Sequence, residues 1–391
     1  MAEPGGWRWA TCEVWLNMPD GVLSAPPERQ ARLLALYLPQ FHPIPENDQW
    51  WGQGYTEWVA VQRARPLFRG HAQPNAPGEL GYYDLRSPAT RQAQADLAQR
   101  YGIEGFLYWH YWFAGRRVLE QPFDAVLRSG EPKFPFALAW ANHTWNSVFW
   151  FGVRGMRLLE QTYPGLDDHR AHFAVLLQAF RDERYLTVDG KPLFYIYDPF
   201  KLPDMPRVTD LWRELAHAAG LKGLFIVGRG IDPARVVAFG CDAANYDFVH
   251  RIRELKPKLP LLGRWAYRHR VRSLLRRPIL YDYAEVMPYL LKPGRALDHE
   301  YPSAVPNWDS TPRAKYSGMV YLNATPELYQ EHLRQSAATV AHRPLEHRLV
   351  FVKSWNEWGE GNYLEPDQRH GRAYLEATRA VVYGPSISPL P

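Results

Sequence analysis

Eight short apolar runs, with stretches of helical periodicity between them, constrain what this 391-residue chain can fold into more than any other feature. The runs are Leu33 to Leu38, Gly105 to Trp112, Phe136 to Ala141, Leu193 to Tyr197, Leu224 to Val227, Asp242 to Tyr246, Tyr301 to Val305 and Leu349 to Val352. Helix-like segments alternate with them, among them Thr90 to Tyr101, Asp168 to Phe180, Val208 to Ala219, Asp232 to Phe239 and Pro326 to Val340. Alternation of this kind predicts a parallel sheet covered by helices. Eight repeats in this length match a (β/α)8 TIM barrel, an α/β fold that typically takes about 250 residues and accepts large insertions. A doubly wound open sheet is the competing architecture. The barrel is favoured because polar and aromatic residues crowd the C-terminal ends of many strands, where an open sheet would gather them at one crevice.

Those ends are Pro39-Gln40-Phe41-His42-Pro43, Tyr108-Trp109-His110-Tyr111-Trp112, Trp140-Ala141-Asn142-His143, Tyr197-Asp198, Arg229, Asn245-Tyr246-Asp247, Asn307-Trp308-Asp309 and Trp355-Asn356-Glu357. In a barrel they share one bowl, and its lining suits carbohydrate. Strand seven is interrupted by Pro302 and Pro306, and the stretch from Asp247 to Tyr301 is too long for a plain connection. The expected organisation is an N-terminal extension over 1–30, a single catalytic domain over 31–380 with a basic insertion at about 249–298, and a Pro-rich tail over 381–391 that frays.

The last run leads into Ser354-Trp355-Asn356-Glu357-Trp358-Gly359-Glu360-Gly361, which sets two carboxylates three residues apart between indoles and glycines. A pair of Glu at this spacing is usually a solvated helix face. Two tryptophans and two glycines make a poor helix surface, and Glu365-Pro366-Asp367 breaks any helix that follows. Cleaving a glycosidic bond needs one carboxyl to protonate the leaving oxygen and another to act at or near the anomeric carbon. Glu357 and Glu360 are the candidate catalytic pair.

Composition narrows the alternatives. The chain is 46% hydrophobic and can bury a large core. Only Cys12 and Cys241 are present, so neither a disulfide framework nor a cysteine zinc site is legible. The N-terminus lacks the basic and apolar regions of a signal peptide, and no apolar run reaches membrane-span length, which predicts a cytoplasmic protein. The whole chain carries +5, while 250–277 holds ten Lys or Arg against Glu254 alone, an excess of +9. Within that segment Tyr267, Val271, Leu274 and Leu275 fall at helical spacing. The patch reads either as a solvated surface helix or as a peripheral contact with an anionic inner membrane or a phosphorylated, lipid-linked sugar. Nucleic acid is not expected, because no nucleic-acid motif accompanies the patch. There is no Gly-X-Ser-X-Gly elbow, P-loop or His-Glu-X-X-His, and no metal or cofactor is implied.

Five blocks in order carry a family resemblance: Tyr37-Leu38-Pro39-Gln40-Phe41-His42-Pro43, the segment from Trp50 to Trp58, the segment from Gly105 to Trp112, Trp140-Ala141-Asn142-His143, and the closing Trp355 to Gly361. From about Leu33 to Leu375 the chain resembles the WbsX-type proteins of polysaccharide gene clusters, described as glycosyltransferase-like. Through them, it is similar to glycoside hydrolase family 99, the endo-α-mannosidases and endo-α-mannanases. The resemblance implies retention at the anomeric carbon, with Glu357 as base on the substrate's own 2-hydroxyl and Glu360 as general acid and then base. A covalent nucleophile at Glu357 is the other mechanism. Gly359 stands where family 99 commonly carries His, a departure that bears on mannose specificity.

The remaining substrate-binding candidates are Tyr37, Gln40, His42, Glu57, Trp58, Trp109, His110, Trp140, Asn142, His143, Tyr246, Trp308, Trp355 and Asn356. Tryptophans there would stack on sugar rings, and the polar side chains would bind hydroxyls. A glycosyltransferase of O-antigen, lipopolysaccharide or capsule synthesis is the rival function, although the chain has no Asp-X-Asp motif. A carbohydrate-binding barrel without catalysis is a third, disfavoured by the presence of both Glu.

Overall fold

All eight apolar runs lie in one parallel sheet. The structure is a computed structural model that describes residues 28–147, 156–246, 252, 277–292 and 294–390. The strands are β1 (Arg32–Tyr37), β2 (Ile103–His110), β3 (Phe136–Trp140), β4 (Lys191–Ile196), β5 (Phe225–Gly230), β6 (Ala243–Tyr246), β7 (Glu300–Tyr301), β8 (Ser303–Ala304) and β9 (Leu349–Val352). Their order is β7-β6-β5-β4-β3-β2-β1-β9-β8. The two ends of that order are neighbours in sequence, because β7 and β8 are halves of the expected seventh strand. Pro302 parts them, having no N–H to give a ladder. One half registers on β6 (Ala244 with Glu300) and the other on β9 (Ser303 with Phe351). The Pro302 carbonyl still accepts from the Phe351 amide at 3.0 Å. The sheet is therefore a barrel, closed except at that break, and the open-sheet alternative is excluded.

Helices follow the strands as α1 (Glu57–Arg63), α2 (Pro88–Arg100), α3 (Gln121–Ser129), α4 (Leu166–Phe180), α5 (Met205–Ala218), α6 (Pro233–Ala238), α7 (Tyr283–Leu290), α8 (Thr311–Ala314), α9 (Pro326–Val340) and α10 (Ala373–Val382). Three begin with a capping side chain followed by proline. Ser87, Asp232 and Thr325 accept from Thr90, Arg235 and Leu328 amides, and Pro88, Pro233 and Pro326 occupy the first helical turn. These signals fix the observed starts close to the expected ones.

The strands are buried on both faces, as parallel strands between a barrel interior and a helical shell must be. Inside, Trp109, Tyr195 and Phe351 meet edge to face or tilted at 5.5–6.1 Å. Outside, Trp140 packs on His172 of α4 and Trp212 of α5. A second cluster of Tyr246, Ile252, Tyr283, Val305, Trp308 and Tyr321 lies beside the barrel. It accompanies a two-stranded parallel pair, Ile279–Asp282 with Met319–Leu322. Both the basic segment 250–277, apart from Ile252 and Arg277, and the extension before Glu28 lie outside the described residues. Among the described residues, no helix is long and apolar enough to cross a membrane.

One expectation is corrected. The Pro-rich tail is tied down through residue 390: the Leu390 amide donates to Ala338, its carbonyl accepts from Arg295 Nε at 2.7 Å, and Ile387 donates to Gln30.

His332 of α9 is fully buried with neither ring nitrogen hydrogen-bonded, and burial pushes its pKa down to about 3. The unfolded imidazole takes a proton near pH 6.5, so its neutral burial stabilises the fold above that pH and loses this contribution as pH falls. His332→Leu should therefore lose less stability between pH 6.5 and 4.5 than the parent, by about 1.4 kcal/mol per pH unit. Urea unfolding across that range would measure the difference.

Candidate active site

Beyond β9 the chain turns sharply within the barrel mouth. Asn356–Glu357 pairs antiparallel with Asn362–Tyr363, and a 3-10 turn over Trp358–Glu360 joins them. The Ser354 hydroxyl donates to the Asn362 carbonyl at 2.6 Å and accepts from the Glu357 amide at 3.0 Å, which locks the turn. Gly361 closes it at φ +59°, where a Cβ would also sit 2.7 Å from Asp309 Cβ. The outcome is that Glu357 and Glu360 lie close enough for each carboxyl to act on the other's ionisation, and both face Arg313.

Each has its own partners. Glu357 Oε1 accepts from Trp109 Nε1 at 2.8 Å, and its Oε2 lies 3.9 Å from Lys353 Nζ. Glu360 Oε1 accepts from an Arg313 terminal nitrogen at 2.9 Å. The same guanidinium donates through Nε to Glu57 Oε1 at 2.6 Å. Glu57 is wholly buried, the Glu357 side chain is 7% exposed and that of Glu360 is 23% exposed. Access to the cluster is therefore through Glu360.

These surroundings drive the pair apart. Burial raises the Glu357 carboxyl, but Lys353, Arg313 and hydrogen bonds from Glu360 and Trp109 outweigh it and leave the group below its ordinary pKa. Burial and then the charge of Glu357 push Glu360 up to about 7, against the pull of Arg313 and Lys353. Burial also raises Glu57, partly offset by Arg313. Lys353 stays above its ordinary value because Glu357 and Glu360 outweigh burial. The Tyr111 phenol is pushed up by burial and by Glu357, so it remains a neutral hydroxyl facing the carboxyls.

Of the residues expected from sequence, Glu57, Trp109, Glu357 and Glu360 meet in this cluster. Trp308 is near it, with Lys353 Nζ 5.0 Å from its ring centre. His143 stands across the bowl beside Tyr197, at 5.1 Å between rings, and burial with Lys201 and Arg229 pushes it down to about 4. Gln40 is buried, its backbone carbonyl accepts from the Glu57 amide, and its own amide atoms have no hydrogen-bond partner.

Others serve the scaffold, contrary to expectation. Tyr37 and His110 point out of the barrel, Tyr37 to Gln94 at 2.7 Å and His110 to His172 at 2.9 Å. Trp140 does the same, against α4 and α5. Trp355 is fully buried on Phe106, and Trp58 donates to the Tyr83 carbonyl while packing on Phe41 and Trp358. His42 is fully buried with Nδ1 on the Pro39 carbonyl. Asn142 spends its amide on the Asp198 backbone and the Tyr163 hydroxyl. Asn356 clamps both backbone groups of Leu38, at 2.7 and 3.1 Å. Tyr246 belongs to the lateral apolar cluster. Trp358 gives its indole N–H to Glu365, which also accepts from Tyr83 and Gln94, so Glu365 braces the loop.

Arg313, Lys353 and Tyr111 are the members that sequence analysis missed. Lys353 had a signal, a cation directly after a buried strand and four residues before Glu357. Nothing in the neighbourhood of Arg313 marks it. A cavity of about 160 Å³ lined by His71, Asn307, Asp309, Asn323 and Arg369 lies behind Gly361, and none of the three glutamates lines it. Among the described residues, no cluster of three His, Cys, Asp or Glu side chains is arranged to hold a metal ion.

The family described as "Glycosyltransferase WbsX" matches residues 33–378. Two proteins, each named "Uncharacterized protein WxcX", from Xanthomonas campestris pv. campestris strains B100 and ATCC 33913, are 38% and 37% identical over 364 and 372 residues. These alignments cover 92% and 94% of this chain but 50% and 52% of the relatives, so the chain spans about half the length of the curated relatives it matches. Among solved structures, a glycoside hydrolase-like protein aligns over 94% of this chain and 97% of its own at 16% identity and TM-score 0.56. A GH99 endo-alpha-mannosidase from Bacteroides thetaiotaomicron, solved with BIS-TRIS-Propane, aligns over 90% and 95% at 13% identity and TM-score 0.51. At these identities the structural likeness concerns the fold, a (β/α)8 barrel.

Asn356→Ala would leave both backbone groups of Leu38 buried and unsatisfied. A stability loss of roughly 3 kcal/mol is expected in urea unfolding. A loss below about 1 kcal/mol would show that water replaces the amide there.

Proposed function

This chain belongs to the glycosyltransferase WbsX family of carbohydrate-active proteins, and we propose that it acts on glycosidic bonds of a cell-surface oligosaccharide or polysaccharide through Glu357 and Glu360, with retention at the anomeric carbon. The carrying observation is the opposite displacement of two neighbouring carboxyls, one held ionised and one able to keep a proton near neutrality.

In the proposed reaction, Glu360 gives its proton to the leaving oxygen as the glycosidic bond breaks. Glu357, ionised, acts on the opposite side of the balance. It either takes the proton of the substrate's 2-hydroxyl, whose oxygen closes a 1,2-anhydro ring, or bonds to the anomeric carbon directly. Glu360, now a carboxylate, then deprotonates the incoming water or sugar hydroxyl as it bonds to the anomeric carbon, while Glu357 returns its proton to the 2-oxygen of the opening anhydro ring or, in the covalent route, leaves the anomeric carbon as a carboxylate. Trp109 and Lys353 hold Glu357 in its ionised form. A mannan-like chain is the first substrate to try, on the analogy of the GH99 neighbour.

A glycosyltransferase is the second reading, favoured by the family's description. The same pair would serve it if a sugar hydroxyl replaced water, with the basic segment 250–277 meeting a phosphorylated, lipid-linked sugar at the cytoplasmic membrane face.

Mass spectrometry of products from α-mannan, rhamnan and other bacterial surface oligosaccharides, with and without sugar nucleotides, separates the two. Shortening without nucleotide supports the hydrolase, and extension only with nucleotide supports the transferase. Glu357→Gln and Glu360→Gln should each lower turnover by about 10²–10⁴-fold, and full activity in both would remove the site assignment. Because Glu360 is raised to about 7, turnover should hold below that pH and fall as pH rises through it.

A further inference from the structure

Arg313 presents a chemical difficulty for the proposed site. A guanidinium 2.9 Å from Glu360 favours the ionised carboxylate, yet the proposed reaction needs Glu360 to start protonated. The arrangement of Glu57 resolves it. Its carboxylate has no solvent exposure, and it meets Arg313 Nε at 2.6 Å, closer than Arg313 stands to Glu360. Its backbone is fixed at the first turn of α1, where the Glu57 amide donates to the Gln40 carbonyl at 3.0 Å. The turn carrying Glu360 rests directly on this ion pair. A Cβ on Gly359 would lie 1.7 Å from Glu57 Oε1 and 2.8 Å from Arg313 Nε. Glycine at 359 is thus what leaves room for Glu57 to reach Arg313 beneath Glu360.

We infer that Glu57 is a positioning residue for Glu360: by engaging Arg313 through Nε, it takes up guanidinium charge that would otherwise fall on Glu360, and so lets Glu360 retain its proton. The inference rests on the proposed role of Glu360. Among the described residues, the other charged or titratable groups acting on the cluster include Glu357 and Lys353 from the β9 end, Tyr111 from the β2 end, Tyr55 before α1, and Tyr197 and Arg229, which act on Lys353. Two neutralising substitutions therefore act on Glu360 in opposite directions. Glu57→Gln leaves the full guanidinium charge to Glu360, and Arg313→Met removes that charge.

The test is a carbon-13 NMR titration of full-length protein labelled at the glutamate carboxyl carbon, with the Glu360 signal identified by its loss in Glu360→Gln. In Glu57→Gln the Glu360 midpoint should fall by about one pH unit, and in Arg313→Met it should rise by a similar amount. Gly359→Ala, which displaces Glu57, should lower it as Glu57→Gln does, and it keeps the test open if Arg313→Met does not fold. A Glu360 midpoint that stays put or rises in Glu57→Gln overturns the inference, as does movement in the same direction in the Glu57 and Arg313 variants. Turnover by Glu360→Gln would instead remove the proposed function while leaving the titration result intact, so the two failures are distinguishable.

Discussion

The pairing of β1 with β9 is the contact on which the site depends. Arg32 to Ala35 register on Leu349 to Val352, so two strands more than 300 residues apart become neighbours. In a parallel barrel the C-terminal ends of neighbouring strands share one rim, and the loops leaving β1 and β9 are therefore set side by side. Glu57 arrives on one loop, Glu357 and Glu360 on the other. Asn356 ties them together across Leu38, and the Trp355 amide donates to the Leu36 carbonyl at 2.8 Å. On the far side of β9, the half-strand β8 leads to α8 and Arg313. On the far side of β1, the strand β2 delivers Trp109 and Tyr111. Four consecutive staves thus supply every member of the charged cluster.

The break at Pro302 belongs to the same geometry. An uninterrupted seventh strand would have to follow β6 and β9 with one register. Divided, its first half follows β6 and its second follows β9. The closure at β8 is what brings Arg313 within reach of two carboxylates contributed by opposite ends of the chain. Proline here weakens a ladder by one donor and allows the ring to close.

The barrel was legible because strands buried on both faces read as unbroken apolar runs, and because Ser87, Asp232 and Thr325 announce helix starts. The same property hid the inside from the outside. Along β2 and β3, Trp109 faces in while His110 and Trp140 face out, and a run apolar on both faces carries no alternation from which to tell them apart. Tyr37 was misplaced for that reason. Asn142 and Asn356 were misread differently, since an amide that satisfies a backbone looks in sequence like one that awaits a hydroxyl. Glu357 and Glu360 stood out because their neighbours were wrong for a solvated helix. Arg313 did not, because its partner Glu57 lies 256 residues away, and only closure of the ring brings them together.

The composition of the cluster fixes its proton inventory. Glu57, Glu357 and Glu360 face Arg313 and Lys353, three potential negative charges against two positive ones, in a site largely withdrawn from water. A buried excess charge is costly, so the cluster favours holding one proton near neutrality. The location of that proton follows from the contacts. Glu57 has the shorter hold on Arg313, and Glu357 has both Lys353 and the Trp109 indole. Glu360 has a share of Arg313 and the pull of Lys353, but burial and the charge of Glu357 outweigh them and push its carboxyl up to about 7. It is also the most exposed of the three. On the proposed function, the proton that the electrostatics favour is thereby left on the most exposed of the three carboxyls, where the acid of the reaction is needed.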